Sequence, residues 1–136
     1  MKIILLGDSL CEDLGRHRPD WICHAHGGIK SKEWITRYPD PITADVAIIS
    51  IGVNDLGNPN RPWHTETVMR DIRRNITATK VFWIVAVHGQ DMIIGIANEF
   101  GDGMFDCKNY HLAGDNLHLS DRGNEALAKD IEKITL

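Results

Sequence analysis

Three observations predict an α/β fold, a parallel sheet of about five strands with helices on both faces. Short apolar runs alternate with segments of helical periodicity along the chain. Two of the runs, Val46-Ala47-Ile48-Ile49 and Val81–Val87, are apolar without alternation, the pattern of strands covered on both faces. Polar residues and glycines gather directly after the apolar runs, where an open α/β sheet binds its ligands.

The elements follow in order. Lys2–Leu6 predicts the first strand and Ser9–Arg16 a short helix that ends near Pro19. Trp21–His26 predicts a second strand, closed by Gly27-Gly28. Ser31 is placed to N-cap a helix with Trp34, Ile35 and Tyr38 on one side, stopped by Pro39 and Pro41. Asp45–Ile51 predicts a third strand, and Gly57–Pro62, crowded with Gly, Asn and Pro, a loop. Val68, Ile72 and Ile76, at a spacing of four, predict the next helix. Val81–Val87 predicts the fourth strand and Gln90–Phe100 a short helix, weakened by Gly95. Gly101–Gly114 reads as a loop with a brief fifth strand around Met104–Asp106, and Ser120 as the cap of a final helix with Leu127, Ile131 and Ile134 toward the core.

Length and composition bound the function. A chain of 136 residues suits one domain with a real core and no disulfide staples. Its net charge of −4 argues against a nucleic-acid footprint. Arg70, Arg73 and Arg74 share a predicted helix with Glu66 and Asp71 and read as a solvated face. The apolar start is too short for a signal sequence and is interrupted by Asp8. No stretch approaches the ~18 apolar residues of a membrane span. Three cysteines, Cys11, Cys23 and Cys107, form no close pair and predict reduced thiols in a cytoplasmic or otherwise reducing setting.

The residues that follow the strands carry the chemistry. Ser9 follows the first strand, Gly27 and Gly28 the second, Gly52-Val53-Asn54-Asp55 the third, and His88 the fourth; Asp115-Asn116-Leu117-His118 precedes the last helix. A serine hydroxyl is a poor nucleophile until a base takes its proton. His118 is the candidate base, and Asp115, three residues before it, the carboxylate that orients it. The order Ser, Asp, His is one that serine hydrolases use. Attack on an ester carbonyl creates an oxyanion that needs donors already in place. The backbone N–H of Ser9, a backbone N–H in the Gly27-Gly28 pair and the side-chain amide of Asn54 are the candidates. This chemistry needs no cofactor and no metal.

Gly7-Asp8-Ser9-Leu10, a glycine after the second strand, Gly52-Val53-Asn54-Asp55 and Asp115-Asn116-Leu117-His118 resemble, in order, the blocks of the GDSL/SGNH hydrolase family. The resemblance implies a flavodoxin-like, three-layer α/β/α sandwich and a serine esterase acting on a small-molecule ester, acyl or acetylated-sugar. It carries over Ser9 as nucleophile, His118 as base, Asp115 as orienting acid, and Ser9, Gly28 and Asn54 as oxyanion-hole donors. Leu119 stands where the family often has proline. The chain is also shorter than most members, which predicts trimmed loops and a shallow cleft or one completed by a partner subunit.

Simpler roles compete with these. Ser9 could cap a helix, Asn54 could be a turn residue, and Asp115 and His118 a helix-entry pair. Asp8 and Asp55 read as structural. Cys11 is a minor alternative nucleophile. His24 and His26 share a strand face, where packing under a helix or loop competes with a metal pair. A metal-dependent phosphoesterase using His24, His26, Asp8, Asn54 and His88 is the alternative reading, and a non-catalytic binding module on the same scaffold a third. Trp83 reads as core, and Trp63 as a residue able to line a cleft.

Overall fold

The computed structural model describes residues 1–56 and 63–135, without the side chain of residue 63. The element order is β1 (Ile3–Gly7), α1 (Ser9–His17), β2 (Ile22–Ala25), α2 (Ser31–Arg37), β3 (Ile42–Ser50), α3 (Trp63–Arg74), β4 (Ile76–Val85), α4 (Gln90–Phe100), β5 (Gly103–Asp106) and α5 (Asp121–Ile134). The predicted loop 57–62 and the predicted cleft role of Trp63 lie outside the described residues.

All five strands are parallel, in the order β2-β1-β3-β4-β5. This is the flavodoxin-like order, and its switch point lies between β1 and β3. Helix α1 packs against α5, and α3 against α2 and α4, so helices cover both faces of the sheet as the sequence predicts. The core runs through the middle strands: Leu5, Leu6, Ile48, Ile49, Trp83 and Ile84 are all buried.

Register brings the strand ends level. Gly7 at the end of β1 lies opposite Ala25 of β2 and Ser50 of β3. The segments carrying Ser9, Gly28 and Asn54 therefore leave the sheet side by side. Gly7 is required by this alignment. Its φ is 127°, and a Cβ there would lie 1.8 Å from the Ser50 carbonyl oxygen. That oxygen accepts the Asp8 N–H at 2.7 Å, turning the chain out of the strand toward α1.

Three assignments differ from expectation. Ile76 begins β4 rather than ending α3, because it pairs with Ile42 at an extended start of β3. Here β3 and β4 run as a two-stranded ribbon beyond β1 and β5, with alternating half-buried and exposed residues from Ile42 to Asp45. The N-cap of α2 is Lys30, not Ser31; the Ser31 hydroxyl donates to Asp55 instead. By contrast, the N-cap of α1 is Asp8, which accepts the Leu10 N–H and so ties the turn in the structural role expected of it. Finally, Arg73 is not on a solvated face. It forms a bidentate pair with Asp102 (2.7 and 2.9 Å), whose side chain is 4% exposed and also accepts the Trp83 indole N–H.

Candidate active site

Ser9 stands at the first position of α1, where helix N–H groups lack intrahelical acceptors. Because Asp8 caps the helix, the Ser9 hydroxyl is free for another partner. That partner is His118: Ser9 Oγ lies 2.9 Å from His118 Nε2. His118 Nδ1 lies 2.6 Å from Asp115 Oδ2. The other carboxylate oxygen, Oδ1, accepts the backbone N–H groups of Leu117 and His118 at 2.9 and 3.0 Å. These bonds close an Asx-type turn that fixes Asp115 and His118 to one another. Asn116 lies between them in the left-handed region, with φ 57°.

The loop is anchored at its base. Leu112 and Leu119 form an antiparallel bridge, Ala113 N–H donates to His118 O, and the Ser120 hydroxyl caps α5 at Gly123. The hydrogen bonds from His118 and the loop amides hold the Asp115 carboxyl well below the usual carboxylate range. Ionised, Asp115 can only accept. Nδ1 of a neutral His118 therefore carries the proton, and Nε2 presents its lone pair to the Ser9 hydroxyl.

Gly28 has φ 77°, and a Cβ built on it meets no atom within 4 Å, so its backbone borders open space. The Gly27 N–H is committed to Glu12 Oε2 at 3.2 Å. Asn54 lies in a 3₁₀ turn after Gly52, whose φ is 107°. Its amide donates one hydrogen to the Ile29 carbonyl at 3.0 Å, joining the two segments and leaving a second hydrogen for another acceptor. Asp55 is buried and holds both the N–H and the hydroxyl of Ser31, at 2.9 and 2.6 Å, in the structural role expected.

Asp8 is structural too, with one addition. Besides capping α1 it accepts the Ser50 hydroxyl at 2.8 Å, and Ser50 Oγ in turn accepts the Cys11 N–H. Burial pushes the Asp8 carboxyl up to about 6. Cys11 does not reach the site: it is fully buried, its thiol faces the Ile48 carbonyl, and burial pushes its ionisation up.

A pocket of about 130 Å³ opens beside Ser9 and His118. Leu10, Val53, Ala86, Val87 and Leu117 give it an apolar wall, and Asn54 and His88 reach it from the ends of β3 and β4. The sequence does not single out Ala86, Val87, Ser50 or Glu12. The first two continue an apolar strand without a break in pattern, and Ser50 and Glu12 act only through partners distant in sequence.

The metal set of the alternative reading is split: Asp8, Asn54 and His88 border the pocket, while His24 and His26 are held elsewhere. His24 and His26 both stack on Tyr38, with ring centroids 4.7 and 5.8 Å away, and His26 Nε2 lies 2.5 Å from the Tyr38 hydroxyl. They thus pack beneath the end of α2. Asn54 is turned to Ile29, and among the described residues no three His, Cys, Asp or Glu side chains are grouped to hold a metal ion.

No family model matches the chain. No curated protein matches it. Solved structures do. A GDSL-like lipase from Bacteroides thetaiotaomicron superposes with a TM-score of 0.73 at 13% identity, over 98% of this chain and 86% of that one. A carbohydrate acetylesterase family member from Sinorhizobium meliloti gives 0.65 at 13% identity, over 99% and 97%. A family 3 carbohydrate esterase from Clostridium thermocellum gives 0.58 at 16% identity, over 98% and 94%. With its parallel sheet, its strand order and these neighbours, the chain has the fold of the GDSL/SGNH hydrolases.

Proposed function

We propose that the protein is a serine hydrolase of small acyl esters, acetyl or short-chain, working through an acyl-enzyme on Ser9. The observation that carries this reading is the relay from Ser9 Oγ to His118 Nε2 (2.9 Å) and from His118 Nδ1 to Asp115 (2.6 Å) beside an apolar pocket. His118 takes the hydroxyl proton as Ser9 Oγ attacks the ester carbonyl. The tetrahedral oxyanion is met by the Ser9 and Gly28 N–H groups and the free amide hydrogen of Asn54. His118 then gives its proton to the departing alcohol, and Ser9 keeps the acyl group. Water, deprotonated by His118, releases the acid and restores the serine. The ionised Asp115 keeps the imidazole in the productive tautomer and offsets its positive charge.

The pocket supports a short acyl group. Its volume of about 130 Å³ is below the ~300–1,000 Å³ typical of sites for drug-sized ligands, and its walls are aliphatic. Two structural neighbours, a carbohydrate acetylesterase family member and a carbohydrate esterase, make acetylated sugars the first natural substrates to try.

The test is a panel of p-nitrophenyl esters from acetate to octanoate, with acetylated sugars, run on wild type and Ser9→Ala. The expected outcome is turnover that falls with acyl length and drops on the order of 10⁴-fold or more in Ser9→Ala. Equal hydrolysis by the variant sinks the proposal.

A further inference from the structure

We infer that Asp55 is a positioning residue for the oxyanion hole: its buried carboxylate ties the segment carrying Gly28 to the turn carrying Asn54 and holds their donors at one spacing across from Ser9. The inference rests on the esterase reading and goes beyond it by assigning a role to a residue that touches no substrate.

The segment around Gly28 is held to the rest of the fold by a small set of bonds on either side of the glycine. It leaves β2, an edge strand that pairs only with β1. Apart from its own chain neighbours, nothing lies within 4 Å of where a Gly28 Cβ would be, so that side of the glycine is unpacked. Its upstream ties are the His26 N–H on the Gly7 carbonyl at 2.9 Å and the Gly27 N–H on Glu12 Oε2 at 3.2 Å. Beyond local bonds of Ile29 and Lys30 to His26 and Glu33, the long-range ties of Ile29 and Ser31 run to the Asn54-Asp55 turn. Ile29 O accepts the Asn54 amide at 3.0 Å, and Ser31 donates its N–H to Asp55 Oδ1 at 2.9 Å and its hydroxyl to Oδ2 at 2.6 Å. Three hydrogen bonds thus join two segments 24 and 25 residues apart.

A carboxylate suits this place because it accepts on both oxygens at once, so one side chain grips both the backbone and the side chain of Ser31. The fourth bond differs in kind. Thr65 Oγ1 donates to Asp55 Oδ2 at 3.2 Å, and it ties the turn to α3 instead of to the Gly28 segment. Oxyanion donors act through geometry set before the reaction, so loosening one segment against the other lowers turnover without changing how the acyl group is bound.

The experiment compares three substitutions. Ser31→Ala removes the hydroxyl half of the tie to the Gly28 segment and leaves its backbone half; Asp55→Asn takes one of the two accepting oxygens from Ser31 and Thr65; Thr65→Val removes the tie to α3 alone. On p-nitrophenyl acetate, the first two are expected to lower kcat about ten- to a hundredfold with KM within about twofold. Thr65→Val is expected to lower the thermal midpoint and leave kcat within about twofold. In an Asn54→Ala background, Asp55→Asn is expected to cost much less than in wild type, because the donor it positions is already gone. The inference is overturned if Ser31→Ala and Asp55→Asn keep wild-type kcat, if kcat follows the thermal midpoint in all three variants, or if the Asp55→Asn loss is unchanged in the Asn54→Ala background. Should Asp55→Asn not fold, Ser31→Ala against Thr65→Val decides, with Ser31→Ala in the Asn54→Ala background as the cycle. Failure of the esterase reading looks different: Ser9→Ala then hydrolyses the ester as well as wild type.

Discussion

The roles of Asp8 and Ser9 are divided by one hydrogen bond. Asp8 caps α1 by accepting the Leu10 N–H, and this leaves the Ser9 hydroxyl to His118. The neighbouring carboxyls then titrate in opposite directions. Asp115, gripped by His118 and two loop amides, stays ionised. Replacing it with asparagine keeps the shape but allows His118 the wrong tautomer, so Asp115→Asn is expected to lower kcat by about 10³–10⁴-fold with little change in KM. Steady-state kinetics on a short ester check this, and a loss confined to KM contradicts it. Asp8 is pushed up to about 6 from an ordinary 3.8 by burial. The folded protein therefore keeps this proton up to about pH 6, while the unfolded chain releases it near pH 4. Stability falls as pH rises between those values and stays at the lower level above them. Asp8→Asn keeps the acceptor oxygen for Leu10 and Ser50 without the buried charge. It is expected to raise stability by on the order of 2 kcal/mol at pH 7 and by almost nothing at pH 4. Thermal melts at the two pH values test this; an equal shift at both contradicts it.

At the scale of elements, the ends of strands and helices carried the surprises. The spacing of Val68, Ile72 and Ile76 is helical, yet the chain turns at Asn75 and Ile76 enters β4 beside Ile42. Three apolar residues at a spacing of four record what faces the core, not where backbone pairing begins. Arg73 shows the same effect with charge. In sequence it is one of three arginines on an amphipathic helix, and only the fold reveals Asp102, which lies at the start of β5 beside the Trp83 indole. Removing one partner of a pair this enclosed leaves the other uncompensated. Arg73→Met is expected to lower unfolding free energy by about 3 kcal/mol while sparing kcat, since Asp102 precedes β5 at the sheet edge opposite Ser9. Denaturant unfolding together with ester turnover checks both halves. By contrast, α4 spans Gln90–Phe100 as expected, and the Ser120 cap on α5 is present. These signals are local, with a left-handed glycine at each end of α4 and a serine hydroxyl on an N–H three residues on.

For the molecule as a whole, the strand order 2-1-3-4-5 is the decisive feature. It sets β1 between β2 and β3, so the three segments that follow these strands emerge together, and the loop before α5 brings His118 over Ser9. The sequence by itself determined the α/β class, the existence of all five strands, and the residues Ser9, Gly28, Asn54, Asp115 and His118 as one candidate set. It could do so because buried parallel strands are uniformly apolar and the polar residues are left at their carboxyl ends. It also determined the link between Asp115 and His118, which is closed within one turn. Only the tertiary structure decided that Gly27 is committed to Glu12 while Gly28 borders open space, and that Ser31 belongs to Asp55. It also decided the size and lining of the pocket. Each of these turns on which groups meet across the crevice between strand ends, and hydrogen bonds between segments far apart in sequence leave no period or spacing in the chain to read.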